Sequence, residues 1–200
     1  MNFSCLLFDL GGVVVDWDGI DPLLELTRHR ITPDAARRFW LESESVKKFS
    51  AGRCGPDEFA RGCIGELGLS LAPKEFIELF KSWDRGSLPG AHDMLRALGS
   101  KYRLACLSNT NALHWRMHRE HGLVELFRDC FPSFEIGLGK PDPAAFRYVI
   151  DHLQLAPETI IYFDDNPECV HAAAGCGMIA RQTVGVDAVK NALKEFGVAV

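Results

Sequence analysis

The sequence has no excess of positive charge and no long apolar run. Lysine and arginine together number 22 against 27 aspartates and glutamates, a formal net charge of -5. Nucleic-acid-binding domains normally carry a basic surface, so this balance argues against that class. No stretch reaches the roughly 18 apolar residues of a membrane-spanning helix, and the first residues carry no charged leader. We therefore expect a cytoplasmic protein with neither a nucleic-acid nor a membrane partner.

A cysteine pair with metal-binding or redox spacing is also missing. The seven cysteines include no Cys-x-x-Cys sequence, and Cys5 and Cys106 lie inside apolar runs. This pattern predicts small buried side chains in a reducing compartment rather than disulfides.

Four apolar runs are each followed by polar residues. They are "CLLF" before Asp9, "RLACL" before Ser108, "DCFPSFEIGLGK" leading to Lys140, and "TIIYF" before Asp164 and Asp165. Continuous apolar runs indicate strands buried on both faces, as in a parallel sheet. Amphipathic helical patterns such as "PAAFRYVIDHL" separate them. The sequence therefore predicts an α/β fold with a Rossmann-like doubly wound parallel sheet.

A long segment between the first two strands has helical patterns and no strand pattern. Its helix-like pieces begin near Pro22, Pro33, Pro56 and Pro73, because proline is well tolerated in the first turn of a helix. Asp21 and Thr32 are the expected N-caps of the first two pieces. We predict an all-helical cap domain at residues 18–85, inserted into a core domain of residues 1–17 and 86–200.

The polar residues after the strands should meet at one edge of the sheet. Ligands of open parallel sheets bind outside the carboxyl ends of the strands. Carboxylates at that edge suit Mg²⁺, while a serine hydroxyl and a lysine ammonium suit phosphoryl oxygens. The spacing therefore predicts a magnesium-dependent phosphate site.

Four motifs resemble those of the haloacid dehalogenase superfamily, in order and over nearly the whole chain. They are "FDLGGVVVDWD", "LSNTN", "GLGKPDPAAF" and "IYFDDNPECVHAAAGCGM". The insertion resembles the helical cap of the first subfamily, in a branch of sugar-phosphate and epoxide-hydrolase-associated phosphatases. The resemblance implies the following roles: Asp9 as catalytic nucleophile, Lys140 as a catalytic and phosphate-binding lysine, Ser108 and Asn109 as phosphate ligands, Asp9, the Gly11 carbonyl and Asp165 as Mg²⁺ ligands, and Asp164 as a supporting neighbour.

Gly11 departs from the resembled pattern. Most phosphatases of this superfamily have a second aspartate there, which protonates the leaving oxygen, whereas glycine keeps only the backbone carbonyl. A missing general acid predicts a preference for aryl or anomeric phosphates, whose leaving groups need less protonation. Asp16 and Asp18 are the first candidates to replace it, although such residues are more often part of a turn.

The predicted function is Mg²⁺-dependent hydrolysis of small phosphomonoesters, with sugar phosphates among the candidates, through an aspartyl-phosphate. One alternative is a 2-haloacid dehalogenase, in which Asp9 would attack carbon. Another is a phosphate-binding module without catalysis, which only Gly11 favours.

Histidines and aromatic residues outside the motifs receive a structural interpretation. His114, His118 and His121 in "HWRMHREH" have a spacing that can bind zinc, but the charged neighbours favour a polar helix surface. His114 could still reach a bound substrate. Trp40, Phe49 and Trp83 are expected in the core of the cap rather than at the substrate.

Overall fold

A computed structural model describes residues 3–198 of the protein. Within this range the strands are β1 (Cys5–Phe8), β2 (Val15–Trp17), β3 (Asp84–Ser87), β4 (Arg103–Ser108), β5 (Asp129–Pro132), β6 (Ile160–Asp164) and β7 (Ile179–Gln182). Five of them form a parallel sheet in the order β5-β4-β1-β6-β7, with β1 at its centre. The α/β class with a parallel sheet is confirmed.

The helices lie between the strands. They are α1 (Asp21–Leu26), α2 (Pro33–Glu42), α3 (Glu44–Ser50), α4 (Pro56–Leu67), α5 (Pro73–Ser82), α6 (Ala91–Gly99), α7 (Ala112–Glu120), α8 (Ser133–Ile136), α9 (Pro143–Leu153), α10 (Pro167–Gly175) and α11 (Gly185–Glu195). None of the helices within residues 3–198 is long and apolar enough to span a membrane.

Alternate residues of β1 face two separate apolar layers. Leu6 and Phe8 pack with side chains of α6 and α11, whereas Cys5 and Leu7 pack with side chains of α9 and α10. All four β1 side chains are fully buried. The unbroken apolar run of β1 is therefore explained by helices that cover both faces of the sheet.

Five helices, α1 to α5, connect β2 to β3 around an apolar cluster of their own. Its fully buried side chains include Leu23, Phe59 and Phe76. The Thr32 hydroxyl accepts a hydrogen bond from Ala35 N at 3.2 Å, so the predicted cap of α2 is confirmed. Asp21 is not the cap of α1, because the carboxylate of Asp18 accepts from the backbone N–H groups at the start of that helix.

The sheet and the insertion differ from the predicted pattern in three places. β2 and β3 form an antiparallel ribbon, and β3 begins at Asp84, where no strand was expected. β7 was not predicted either. The third predicted strand ends at Pro132, and the short helix α8 follows before Lys140. The division into a core of residues 1–17 and 86–200 and a cap of residues 18–85 stays a prediction.

Candidate active site

Asp9 lies directly after the central strand. Its backbone N–H donates to Phe163 O at 2.8 Å, and the pairing of Phe8 with Phe163 places Asp9 beside Asp164. Asp9 Oδ1 accepts from Leu10 N at 2.7 Å and lies 2.9 Å from the Lys140 ammonium. Because these contacts are made to Oδ1, Oδ2 is the oxygen that can meet a phosphorus atom.

Lys140 is a buried cation between two carboxylates. Its Nζ lies 2.9 Å from Asp9 Oδ1 and 2.6 Å from Asp164 Oδ2, and its side chain is 2% exposed. The Asn109 amide holds the Lys140 backbone, accepting from its N–H at 2.8 Å and donating to its carbonyl at 2.7 Å. Asn109 therefore connects the end of β4 to the lysine loop.

Asp164 and Asp165 have different surroundings. Asp164 Oδ2 accepts from Lys140 and from the Tyr162 hydroxyl, and Oδ1 accepts from Asn166 N at 2.8 Å. Both oxygens of Asp164 are thus engaged by the protein. Asp165 is less buried and stands against Gly12, where an added Cβ would lie 2.6 Å from Asp165 Oδ2. This arrangement suits the predicted division between a metal ligand at 165 and a supporting carboxylate at 164.

The carboxylates fit a magnesium ion. One oxygen from each of Asp9, Asp164 and Asp165 lies within 4.8 Å of the others. Mg²⁺ prefers hard oxygen ligands, and one or two carboxylates with water and substrate phosphate are its usual set. The oxygen donors at the end of β1 and β6 therefore match the chemistry of that ion.

All the residues predicted for the site line one cavity of about 220 Å³, called here the catalytic cavity. They are Asp9, Gly11, Ser108, Asn109, Lys140, Asp164 and Asp165. The fold brings them together from the ends of β1, β4 and β6 and from the loop after α8. Their catalytic, phosphate-binding and metal-binding roles stay predictions.

Burial and mutual charge perturb the ionisation of this cluster. Burial raises the pKa of Asp9 to about 7, against the opposing effect of the Lys140 charge. Burial alone would lower the pKa of Lys140, but the Asp9 and Asp164 carboxylates raise it above its ordinary value. Burial and the Asp164 charge also raise the pKa of Asp165. A cation near the acidic groups would offset this cost and favour their ionised forms.

The first candidates to replace the missing acid are engaged elsewhere. The Arg85 guanidinium donates to Asp16 at 3.2 Å and to Asp18 at 3.0 Å. Neither aspartate lines the catalytic cavity. Gly11 has an ordinary φ, and the nearest atom to an added Cβ there is Trp17 Cβ at 3.9 Å.

The polar-surface interpretation is wrong for two of the three histidines, because His114 and His118 are buried. His114 Nε2 lies 3.0 Å from Phe80 O and Nδ1 lies 3.2 Å from the Asn111 amide, so His114 joins α5 to α7. His118 lines the catalytic cavity together with Asp84. Among residues 3–198, the only group of potential metal ligands is the three-aspartate cluster.

Sequence reasoning missed Tyr162, Gly12, Asp84 and His118. Tyr162 was hidden within the apolar run "TIIYF", and its hydroxyl turns out to bond Asp164. Asp84 and His118 belong to separate elements, β3 and α7, and no spacing along the chain relates them. Of these four residues, only Gly12 could have been identified from the sequence, because adjacent glycines after a strand suggest that the backbone closely approaches another group.

A second cavity of about 780 Å³, called here the cap cleft, lies between the inserted helices and the core. Trp40 and Phe49 line it, in addition to packing in the apolar cluster of α1 to α5. The expectation that they pack in the core of the inserted helices is therefore confirmed, and both also face the cleft. Trp83 is buried in that cluster.

Known proteins match this chain over most of its length. A profile of haloacid dehalogenase-like hydrolases matches residues 3–177. A sesquiterpene phosphatase of Aspergillus oryzae is 27% identical over 184 residues, covering 89% of this chain and 88% of the relative. A D-ribitol-5-phosphate phosphatase of Bacteroides thetaiotaomicron is 24% identical over 185 residues, covering 86% and 87%.

Solved structures share the fold. A haloacid dehalogenase family enzyme of Bacteroides thetaiotaomicron, in complex with magnesium and inorganic phosphate, superposes with a TM-score of 0.75. It is 23% identical, and the match covers 91% of this chain and 94% of that one. At this identity the similarity establishes the architecture alone.

Proposed function

The chain belongs to the haloacid dehalogenase-like hydrolases, and from this membership we propose that it hydrolyses small phosphomonoesters with Mg²⁺ through a phosphorylated Asp9. The observation that carries the proposal is the Lys140 ammonium, 2.9 Å from Asp9 and 2.6 Å from Asp164 at the end of the central strands. The relatives named for phosphatase activity support the same reaction class.

Asp9 is the nucleophile in this mechanism. Its Oδ1 is held by Leu10 N and Lys140, which directs Oδ2 into the catalytic cavity. Attack on phosphorus forms the acyl phosphate and releases the alcohol, and water then cleaves the acyl phosphate to regenerate the carboxylate. A fixed nucleophile lowers the entropic cost of reaching the in-line geometry.

Lys140 and Ser108 hold the phosphoryl oxygens. The Asn109 amide fixes the lysine backbone, and Asp164 with Tyr162 fixes its ammonium, so the positive charge is preorganised before substrate enters. Asp9, Asp165 and the Gly11 carbonyl would hold Mg²⁺, which when bound neutralises charge on the phosphoryl group.

The two alternatives have less support. A 2-haloacid dehalogenase works without a metal, so the carboxylate cluster with Asp165 beside Asp9 would have no function in it. A binding module without catalysis has no need for a buried nucleophile held by a lysine. Sugar phosphates remain candidate substrates, in line with the polyol phosphatase among the relatives.

A panel of phosphate esters tests the proposal. Phosphate release from p-nitrophenyl phosphate, glucose 1-phosphate and glucose 6-phosphate would be measured with Mg²⁺ and with EDTA. We expect Mg²⁺-dependent turnover of p-nitrophenyl phosphate that is lost in Asp9→Asn. Metal-independent release of halide from 2-chloropropionate would establish the dehalogenase instead, and phosphate binding without turnover of any ester would establish the binding module.

A further inference from the structure

The cap cleft continues from the catalytic cavity. Trp17, Asn109 and Lys140 line both cavities. A phosphate held beside Asp9 therefore has its alcohol portion directed into the cleft. The volume of about 780 Å³ is in the range of pockets that enclose a whole small molecule.

Five aromatic side chains line the cleft, and their rings pack on one another. Trp40 stacks on Phe80 with ring centroids 6.0 Å apart, and Phe49 stacks on Phe59 at 4.3 Å. Trp17 meets Trp40 edge-on at 5.6 Å. Since these rings are fixed by one another, an apolar ligand gains contact area without having to order them.

Four polar side chains of the cleft, those of Trp40, Asn109, Asn111 and Ser133, are already bonded within the protein. Asn109 holds the Lys140 backbone, and Asn111 Oδ1 accepts from the first N–H groups of α7 at 3.0 and 3.1 Å. The Ser133 hydroxyl lies 2.6 Å from Ser50 O and 3.0 Å from both Thr110 N and Thr110 O. The Trp40 indole donates to Gly19 O at 2.7 Å.

This leaves few partners for the several hydroxyl groups of a sugar. Of the charged side chains in the lining, Lys140 is held by Asp9 and Asp164, and the other four are exposed at its margin: Lys47, Arg53, Asp142 and Glu168. A buried hydroxyl without a partner weakens binding, whereas a buried methylene strengthens it. Resting on the phosphatase function above, we propose that the preferred substrate is the phosphomonoester of a hydrophobic alcohol, aliphatic or aromatic, rather than of a sugar.

A homologous series of substrates tests this proposal. The kcat/KM of the Mg²⁺-loaded protein would be measured for ethyl, butyl, hexyl and octyl phosphate, with glucose 6-phosphate and p-nitrophenyl phosphate alongside. We expect kcat/KM to rise about fourfold per methylene until the cleft is filled. A kcat/KM that does not change with chain length, or one that is highest for glucose 6-phosphate, would overturn the substrate proposal. Turnover of p-nitrophenyl phosphate in that case would still uphold the phosphatase function. No turnover of any ester would overturn both.

A matched pair of leucines locates the effect in the cleft. Leu41 and Leu79 are both exposed, but only Leu41 lines the cleft. Leu41→Asn should flatten the chain-length dependence, and Leu79→Asn should preserve it. An equal response of the two variants would place the alcohol elsewhere and contradict the proposal.

A different observation concerns the acid that Gly11 lacks. A side chain at position 11 would point toward Trp17 Cβ, and Trp17 is paired with Asp84 across the β2–β3 ribbon. Cross-strand partners project from the same face of a sheet. Asp84 therefore lies on the side of the ribbon that an acid at position 11 would approach, and it lines the catalytic cavity.

Asp84 is buried and held on both sides. Gly86 N donates to its Oδ1 at 3.0 Å, and His118 Nε2 lies 3.3 Å from its Oδ2. The side chain of Asp84 is 2% exposed and that of His118 is 5% exposed. Burial raises the pKa of Asp84 and lowers that of His118 to about 4. A neutral imidazole places no positive charge beside Asp84. The Asp84 carboxyl is therefore not driven to ionise, and its proton stays available for transfer.

We infer that Asp84, positioned by His118, is the general acid of the reaction. As Asp9 Oδ2 bonds to phosphorus, the bond from phosphorus to the alcohol oxygen breaks, and that oxygen takes the Asp84 proton to leave as neutral alcohol. The Asp84 carboxylate then accepts a proton from water as the water oxygen attacks the acyl phosphate. Phosphate departs, Asp9 is regenerated and Asp84 is protonated again.

Leaving-group dependence separates this role from a structural one. Asp84→Asn should lower kcat for hexyl phosphate by on the order of 10²-fold or more but change kcat for 2,4-dinitrophenyl phosphate little, since that leaving group needs no proton. Asp16→Asn is the control and should affect neither. Equal losses on both esters, or no loss on either, would overturn the assignment.

Gly11→Asp supplies a second test, in which the substitution itself lies outside the buried pair of Asp84 and His118. An added Cβ at position 11 meets no atom nearer than Trp17 Cβ, at 3.9 Å. If Asp84 is the acid, Gly11→Asp should raise kcat for hexyl phosphate in the Asp84→Asn background. A gain of about 10²-fold in the otherwise unchanged protein would show that no acid was present and overturn the inference.

Discussion

Replacing Gly12 by alanine should weaken Mg²⁺ binding, while the same change at Gly11 should not. Gly12 has a φ of +71°, and its added Cβ would lie 2.6 Å from Asp165 Oδ2 and 2.9 Å from Asp165 Cγ. To reach an ordinary contact of 3.4 Å, the oxygen has to move by about 0.8 Å. Mg²⁺ demands near-ideal octahedral geometry, so a displaced carboxylate is a poorer ligand.

The magnitude follows from two separate effects. The left-handed backbone conformation costs about 1–2 kcal/mol for a residue with a Cβ, which should appear as a loss of unfolding free energy. Displacement of the neighbouring ligand should raise the Kd for Mg²⁺ by about 10- to 100-fold, as changes around a metal ligand typically do. Gly11→Ala meets only Trp17 Cβ at 3.9 Å, so both quantities should stay near those of the unmodified protein.

Isothermal titration of EDTA-treated protein with Mg²⁺ measures the affinity, and urea denaturation without metal measures the stability. Gly12→Ala binding Mg²⁺ as tightly as the unmodified protein would refute the assignment of Asp165 as a ligand. Equal impairment of Gly11→Ala would show that the loop as a whole, rather than contact with Asp165, determines affinity.

Four further outcomes are expected. Asp165→Asn should abolish Mg²⁺-dependent phosphate release, and turnover at the original rate would contradict the site. Beryllium fluoride with Mg²⁺ should give an adduct on Asp9, detectable by ¹⁹F NMR and absent in Asp9→Asn; an adduct that persists in that variant would reject the mechanism. Lys140→Met should lower the unfolding free energy of the metal-free protein by about 3–5 kcal/mol. The control Lys81→Met removes one partner of an exposed ion pair and should cost less than about 0.5 kcal/mol. Similar losses in the two variants would argue against a buried charge cluster. The pKa of Asp9 in the folded protein is raised to about 7, so Asp9 must be deprotonated at a cost to the folded state as the pH rises from about 4 to 7. Over that range the unfolding free energy of the metal-free protein should fall by up to about 4 kcal/mol relative to that of Asp9→Asn. A difference between the two proteins that does not change with pH would contradict the shift.

The sequence was sufficient to predict β1, β4 and β6 because these strands are buried on both faces of the sheet. Runs such as "CLLF" and "TIIYF" are typical of strands covered on both faces. β7 and β3 escaped prediction for the opposite reason. The side chains of β7 are partly or largely exposed, and "DRGS" in β3 has no apolar residue to mark a strand.

The site was predictable where each residue follows a strand. Asp9, Ser108 and the Asp164–Asp165 pair could be placed at one edge by a rule of topology. The bonds of Asn109 to the Lys140 backbone could not be foreseen, because they depend on the loop after α8. Nor could the burial of His118 beside Asp84, since the helix containing His118 reads as polar until its packing against β3 is known.

The β2–β3 ribbon makes the inserted helices one continuous, replaceable segment of the gene. Val15 pairs with Ser87 and Trp17 with Asp84, so the chain leaves and re-enters at adjacent points. Segments whose ends are close together are readily exchanged or lengthened without rebuilding the rest of a protein. Recombination at these two points would exchange the side of the cleft proposed here to bind the alcohol, while Asp9, Ser108, Lys140 and Asp165 would be inherited unchanged.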